Sequence, residues 1–310
     1  MLLLADGAQK QDQVCGGVII QLNIRSPSHK RGARRAPLGR PALLALLALS
    51  LGAAPLAYAE PPPPAPPPPK PLTPKPFTLK RLYDRPNGVT DEERWAAAHG
   101  RGGGRRGAAE SACLFPFVAT ALDARALVAT VREGLDAPIV ALYGAPLAGA
   151  AWAPVSAVAL YAASGEELAR VDLSAQLKAL SAPDAHAVAY VHHALARDGA
   201  LYVSVAHKTY ARATGGDNAR IYAYTARGAP LWRSPPLVSN AEGFLLVGDV
   251  LITGYGFTRE PDLLYQLSRH TGEILAKTPL KSGPERLALD ELGVLHVRTY
   301  DRDVGFQLSR

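Results

Sequence analysis

Two cysteines in 310 residues, a single methionine and an aromatic share of 7% leave little of the material from which many active sites are built. Cys15 and Cys113 lie far apart in no metal-type spacing, which excludes a cysteine-based zinc site and a multi-bridge disulfide scaffold. The longest apolar run, residues 42–51 with a weak continuation to Leu56, falls short of the roughly 20 residues a membrane helix needs. No G-x-S-x-G elbow, phosphate-binding loop or HExxH helix is present, and no serine or cysteine stands in a nucleophile context. Basic excess is missing too, once position is considered. The net charge is +7, but residues 1–59 hold seven Lys/Arg against two Asp, leaving 27 basic and 25 acidic groups from Glu60 onward. A general phosphate-binding surface, and with it a nucleic-acid partner, is therefore not expected.

What the N-terminal part does contain is an address. Residues 30–40 are strongly basic, the apolar run comes next, and Ala57-Tyr58-Ala59 supplies the small residues that signal peptidase reads. The pattern predicts a signal peptide cleaved after Ala59, hence a periplasmic, cell-envelope or extracellular protein without a transmembrane span; an uncleaved anchor is the alternative. Arg34-Arg35 gives a weak twin-arginine signal. Residues 1–29 fit no part of a signal peptide, and Met1 is the only methionine, so translation is expected to start later, near Val14 to Ile24. With Cys15 removed, Cys113 would be the one thiol of the mature chain and is read as a small apolar filler. Residues 60–76 form a proline-rich linker, held in extended polyproline II because proline fixes φ and lacks an amide donor. It reads as a spacer, or as a ligand for a proline-reading partner.

Residues 77–113 are expected to hold a short helix and a flexible loop. Thr90-Asp91-Glu92-Glu93 is a capping box ahead of residues 94–99, and the Gly/Arg run 101–107 ends the helix. From Leu114 onward the pattern becomes short β-type runs separated by turns. In 201–205 Leu201, Val203 and Val205 share one face, while Tyr202 and Ser204 share the other. Repetition decides the architecture. Tyr161-x-x-x-Gly165-x-x-Leu168 recurs as Tyr224-x-x-x-Gly228-x-x-Leu231, and again at 264–275 with a turn one residue longer. Gly199-Ala-Leu-Tyr-Val203 recurs as Gly248-Asp-Val-Leu-Ile252 and Gly293-Val-Leu-His-Val297, at spacings of 49 and 45 residues. Four short antiparallel strands take about 40–45 residues, the size of one propeller blade.

These motifs resemble the PQQ-like (quinoprotein-like) β-propeller repeat, a "G-x-L-Y-V" strand and then an "L-Y-A-L-D-x-x-T-G-x-x-L-W" hairpin. The stretch from Leu264 to Leu275 is close to the hairpin, and Pro230-Leu231-Trp232 carries its final tryptophan. The resemblance is good over 185–310, fainter over 114–175 and absent before. It implies an all-β fold, a small propeller of about five blades over 114–310: a partial one at 114–133, then 137–173, 185–236, 241–282 and 284–310. The last is short of a strand, and either 77–83 or 126–131 is expected to complete it, because an open edge invites aggregation. The resemblance also raises a quinoprotein dehydrogenase, which needs adjacent cysteines, a calcium site and eight blades. This chain has one mature cysteine and about half those blades, and no cofactor is expected.

His186, His192, His193 and His207 fall within 22 residues, which invites a metal. Adjacent residues of a regular strand face opposite ways, so His192 and His193 cannot share an ion, and no acid completes a site. No metal is predicted. Three polar loops occupy equivalent places in successive repeats: His207, Lys208 and Tyr210; Tyr255, Arg259, Glu260 and Asp262; Tyr300, Asp301, Arg302 and Asp303. They are candidates for one ligand- or partner-binding rim, or else form local turn hydrogen bonds and salt bridges. The expected function is a monomeric, non-catalytic binding or scaffold module of the cell envelope, with a protein, peptide or glycan partner. The alternative is a propeller hydrolase or lyase acting on a small lactone or sugar, with metal or acid and histidine groups in the central channel.

Overall fold

The computed structural model describes residues 73–87, 95, 99, 105–145, 154–182 and 187–310, together with the backbone of 12–15 and 18–21. The expected signal peptide, most of the proline block, the capping box at 90–93, residues 101–104 and His186 lie outside the described residues. The chain divides into two compact units, 1–70 and 71–310. In the first, β1 (Asp12–Cys15) and β2 (Val18–Gln21) pair as an antiparallel hairpin. The second unit holds all the other described elements.

Its strands are β3 (Thr78–Pro86), β4 (Arg106–Gly107), β5 (Ala121–Leu122), β6 (Arg125–Val131), β7 (Ile139–Gly144), β8 (Val155–Tyr161) and β9 (Glu167–Asp172). Next come β10 (Tyr190–Arg197), β11 (Ala200–Ala206), β12 (Arg220–Thr225), β13 (Pro230–Arg233), β14 (Leu245–Val247), β15 (Val250–Phe257) and β16 (Glu260–Ser268). β17 (Ile274–Pro279), β18 (Pro284–Leu289), β19 (Val294–Thr299) and β20 (Arg302–Ser309) close the series. The helices α1 (Ala108–Leu114) and α2 (Ser174–Ala179) flank the first sheet. No described helix is long and apolar enough to cross a membrane.

These strands make four large antiparallel sheets, ordered β4-β6-β7-β8-β9 (with β5 also on β6), β10-β11-β12-β13, β14-β15-β16-β17 and β18-β19-β20-β3. The chain is all-β, but about five units were expected and the described residues hold four. Segments 114–133 and 137–173 are one sheet, joined through β6 and β7. The reason is length: 114–133 supplies only β6 and the two residues of β5, while 117–120 is turn. Cys113, half-buried on α1, is not a free thiol, which corrects its reading as an apolar filler.

The recurrent glycines sit where the sheets turn. Asp198-Gly199 joins β10 to β11 with φ of 49° and 77°, and Gly293 opens β19 at φ 75°. These are left-handed conformations that glycine and aspartate tolerate, as two-residue hairpins require. Period-2 alternation then sends side chains to two cores. In β7 and β8, Val140, Leu142, Val158 and Leu160 enter a cluster shared with the second and third sheets. Ile139, Ala141, Tyr143, Ala157, Ala159 and Tyr161 enter another, covered by Phe115, Val118 and Leu122. A third cluster joins the third and fourth sheets through Ile252, Leu264, Leu287, Val297 and Phe306.

The fourth sheet is completed from far upstream. β3 runs antiparallel to β20 from Thr78 opposite Ser309 to Pro86 opposite Arg302. Of the two strands expected to supply this edge, the one starting at 77 does so, whereas 126–131 lies within β6. Gln266 of the third sheet fixes its entry: Phe77 N–H donates to Oε1 at 2.7 Å and Nε2 donates to the Phe77 carbonyl at 2.9 Å. Farther along, Tyr83 Oη lies 2.6 Å from His296 Nδ1, and His296 Nε2 lies 2.9 Å from Asp290 Oδ2. Tyr83 also lies over Gly305, where a Cβ would meet its ring at 2.1 Å.

Candidate functional site

Each of the three polar loops connects the second strand of its sheet to the third, so all leave their sheets at the same end of the ladder. The loop from β11 to β12 is braced by His207, which is 1% exposed. Its backbone N–H donates to Asn218 Oδ1 at 3.0 Å, and its Nε2 lies 3.2 Å from Thr214 Oγ1. Burial lowers its pKa. His207 is thus a strut across the 207–218 insertion. Tyr210 packs edge-on against Phe257, ring centroids 4.7 Å apart, with Arg212 over its ring at 5.3 Å.

The second loop is bolted to the first by Glu260. One carboxylate oxygen accepts from Ala211 N–H at 2.7 Å and the other from the phenol of buried Tyr255. Burial, then this bond to Glu260, raises the Tyr255 pKa well above its ordinary value. The second and third loops meet through residues 280–283: Leu280 N–H donates to the Asp262 carbonyl at 2.9 Å and Tyr300 N–H to the Gly283 carbonyl at 3.0 Å. Burial, with the like charge of Asp301, holds the Asp262 carboxyl above the usual range. Asp301 accepts from Ser282 Oγ, while Arg302 is tied to Asp84 of β3 through both the carboxylate and the carbonyl. Asp303 is 6% exposed. The three loops are therefore contiguous, but most of their polar groups bind one another. Arg259, Tyr300 (79% exposed) and Lys208 project outward.

No family model matches the chain, and no curated protein does. Among solved structures, the computationally designed Ika8 protein is similar over 57% of this chain and 44% of its own, at 11% identity and a TM-score of 0.35. A protein of unknown function from Bacteroides caccae is similar over 52% and 49%, at 12% identity and a TM-score of 0.31. BamB from Moraxella catarrhalis is similar over 59% and 67%, at 12% identity and a TM-score of 0.29. The chain covers less than half of the first two. Likeness this slight assigns no role.

A second polar group lies at or just before the starts of the first strands, at the same end of the sheets as the loops, and meets them at Lys208. Glu242 accepts from Lys208 Nζ at 3.2 Å through one oxygen and from Arg286 Nη2 at 2.9 Å through the other. Arg105 Nη1 donates to the His192 carbonyl at 3.1 Å. Tyr190 stacks on the His192 ring, centroids 4.3 Å apart, and His193 meets Phe244 edge-on at 5.0 Å. Burial, assisted by the charges of Lys208 and Arg105 respectively, lowers the pKa of His192 and His193 to about 3. Both rings are neutral at ordinary pH.

The position of this group stems from a repeated irregularity. The ladder skips one residue in β6 (Val128), β10 (His192) and β18 (Glu285), so each of these strands carries a bulge. In the third sheet Asn240 and Ala241 both donate to the Gly254 carbonyl just ahead of Glu242. A bulge re-aims side chains and breaks strict alternation. The expectation that His192 and His193 face opposite ways assumed a regular strand, and the bulge removes that premise. Among the described residues no three His, Cys, Asp or Glu converge as metal ligands. Arg105, Tyr190, Glu242 and Arg286 were not among the residues expected from sequence. The signal that could have found them is charge inside an apolar first strand, as in Pro284-Glu285-Arg286 and His192-His193.

Proposed function

We propose that the four sheets close as a small β-propeller and that the protein is an exported, non-catalytic binding module. Its partner, an envelope protein, peptide or glycan, docks on the contiguous loops of the second, third and fourth sheets. The observation that carries this reading is the linkage of those loops through Glu260 and through residues 280–283, where Leu280 N–H donates to the Asp262 carbonyl at 2.9 Å and the Gly283 carbonyl accepts from Tyr300 N–H at 3.0 Å; it presents Arg259, Tyr300 and Lys208 from one braced surface. A braced surface loses less side-chain entropy on binding than free loops do. Completion of the last sheet by β3 supports the closed ring, since a propeller must protect its edges.

Photo-crosslinkers placed at Arg259 or Tyr300 in the exported protein are expected to give a discrete adduct with one envelope component. The same crosslinker at Arg227, exposed in the β12–β13 turn at the other end of the second sheet, is the control. Equal labelling from all three positions refutes the loop face. Arg302→Ala is a poor test of binding, because Arg302 holds β3 through Asp84. N-terminal sequencing of the exported chain is expected to begin at Glu60, and any start upstream of the apolar run counts against export by a cleaved signal.

A further inference from the structure

Arg105 is the least compensated cation of the group on the first strands. It is half-buried, and among the described residues its one hydrogen-bond acceptor is the His192 carbonyl and no carboxylate lies within salt-bridge distance. Glu242 is near enough for its charge to act on Arg105, but both its oxygens are taken by Lys208 and Arg286. A guanidinium carries five N–H donors in a planar fork, so most of those of Arg105 remain for a further acceptor. His193 lies beside it. That ring is 1% exposed, feels the charge of Arg105, and has neither nitrogen hydrogen-bonded. A neutral imidazole buried in this state gives up a donor and an acceptor to no gain, a cost that an incoming acceptor would relieve.

The group is also reachable. Lys208, Glu242 and Arg286 keep side-chain exposures of 54%, 37% and 30%, so solutes from water can approach. Three cations act on the single carboxylate of Glu242, and the field there favours an anion.

We propose that Arg105, with His193 beside it and Lys208 across Glu242, is a binding site for a small oxyanion, the carboxylate or phosphate group of a soluble ligand. The guanidinium fork matches two oxygens of either group, His193 N–H supplies a further donor, and Lys208 adds charge from the solvent side. This site stands whether or not the loop face has a macromolecular partner.

The test titrates the purified protein with inorganic phosphate and, separately, with succinate at low ionic strength, by calorimetry and by the histidine ring signals in NMR spectra. At least one probe is expected to bind saturably at one site, shifting the His193 signals with the same Kd. Arg105→Gln is expected to weaken binding about tenfold or more. Arg227→Gln, the same charge change on an exposed turn, is expected to leave it within about twofold. If Arg105→Gln does not fold, Arg105→Lys serves, keeping the charge but losing the fork, and it too is expected to weaken binding. The tighter probe identifies carboxylate or phosphate as the natural group. Failure of both probes to saturate, equal weakening by Arg227→Gln, or indifference to every Arg105 variant overturns the proposal.

Discussion

Replacing Gln266 by leucine should release the N-terminal strand without emptying the core. Gln266 is 2% exposed and spends both ends of its amide on the backbone of Phe77, 189 residues away in sequence. Gln266→Leu keeps most of the side-chain volume and removes both bonds, leaving the Phe77 N–H and C=O half-buried with no partner. Each such loss costs about 1–2 kcal/mol, and the added apolar burial returns about 1 kcal/mol. The expected net destabilisation is about 1–3 kcal/mol. It should be local: β3 is held by its ladder to β20, farther along by Tyr83 and Asp84, and at its start by this anchor, so amides at the start of β3 and the end of β20 should exchange faster while those of β7 and β11 do not. Urea unfolding gives the magnitude and amide exchange gives the location. A change below about 0.5 kcal/mol with unchanged exchange in β3 refutes the view that Gln266 anchors the closing strand.

Gly305→Ala should cost about 1–3 kcal/mol, because its Cβ would stand 2.1 Å from the Tyr83 ring, and Tyr83→Ala in the same chain should recover part of the loss. An equal loss in both backgrounds, read from urea midpoints, refutes the contact. Acid should destabilise the protein in two stages. His192 and His193 are held neutral down to about 3 when folded but take up protons near 6.5 when unfolded, so their share of stability is present above about pH 6.5 and is lost as pH falls toward 3. Asp84, held below the usual carboxylate range by its hydrogen bond from Arg302, and Asp290, held there by His296, add a second loss only below about pH 4. Unfolding midpoints measured from about pH 8 to 3 check both stages: His192→Gln should flatten the upper one and Asp84→Asn the lower, and a profile level down to about pH 4 contradicts the burial of the histidines. Ring signals of His192 and His193 should also stay constant from about pH 8 to 5 in NMR titration, whereas movement of either would show that it reaches solvent.

The parts of this fold that sequence made legible are those in which each residue obeys one rule at a time. Turn glycines announce themselves because few other residues accept φ near 75°, so Gly199, Gly248 and Gly293 marked the hairpins that the structure contains. Alternation in 201–205 held because the slip in the β10–β11 pairing falls within β10 and β11 itself carries no bulge. The number of sheets was misjudged where the repeat is faintest: β5 and β6 read as part of a unit of their own, and only the pairing of β6 with β7 shows that they belong to the next. Spacing alone could place the loop residues at one end of the sheets. It could not reveal that His207, Tyr255 and Glu260 bind each other or the loop backbone rather than facing outward.

The polar centre was hidden for a more general reason. A bulge adds one residue and reverses the parity of everything beyond it, so strict alternation along 190–197 puts His192 and His193 on opposite sides. The same slip recurs in β18 at Glu285 and in β6 at Val128, where no charge announces it. Arg105 is harder still, since it reaches the His192 carbonyl across 87 residues from a segment that reads as a flexible glycine-arginine loop. Charge inside an otherwise apolar first strand is thus the better guide in such repeats. A buried strand tolerates Glu285, Arg286 or His193 only if the ladder bends to give them partners or water, so each marks the place where alternation is about to fail.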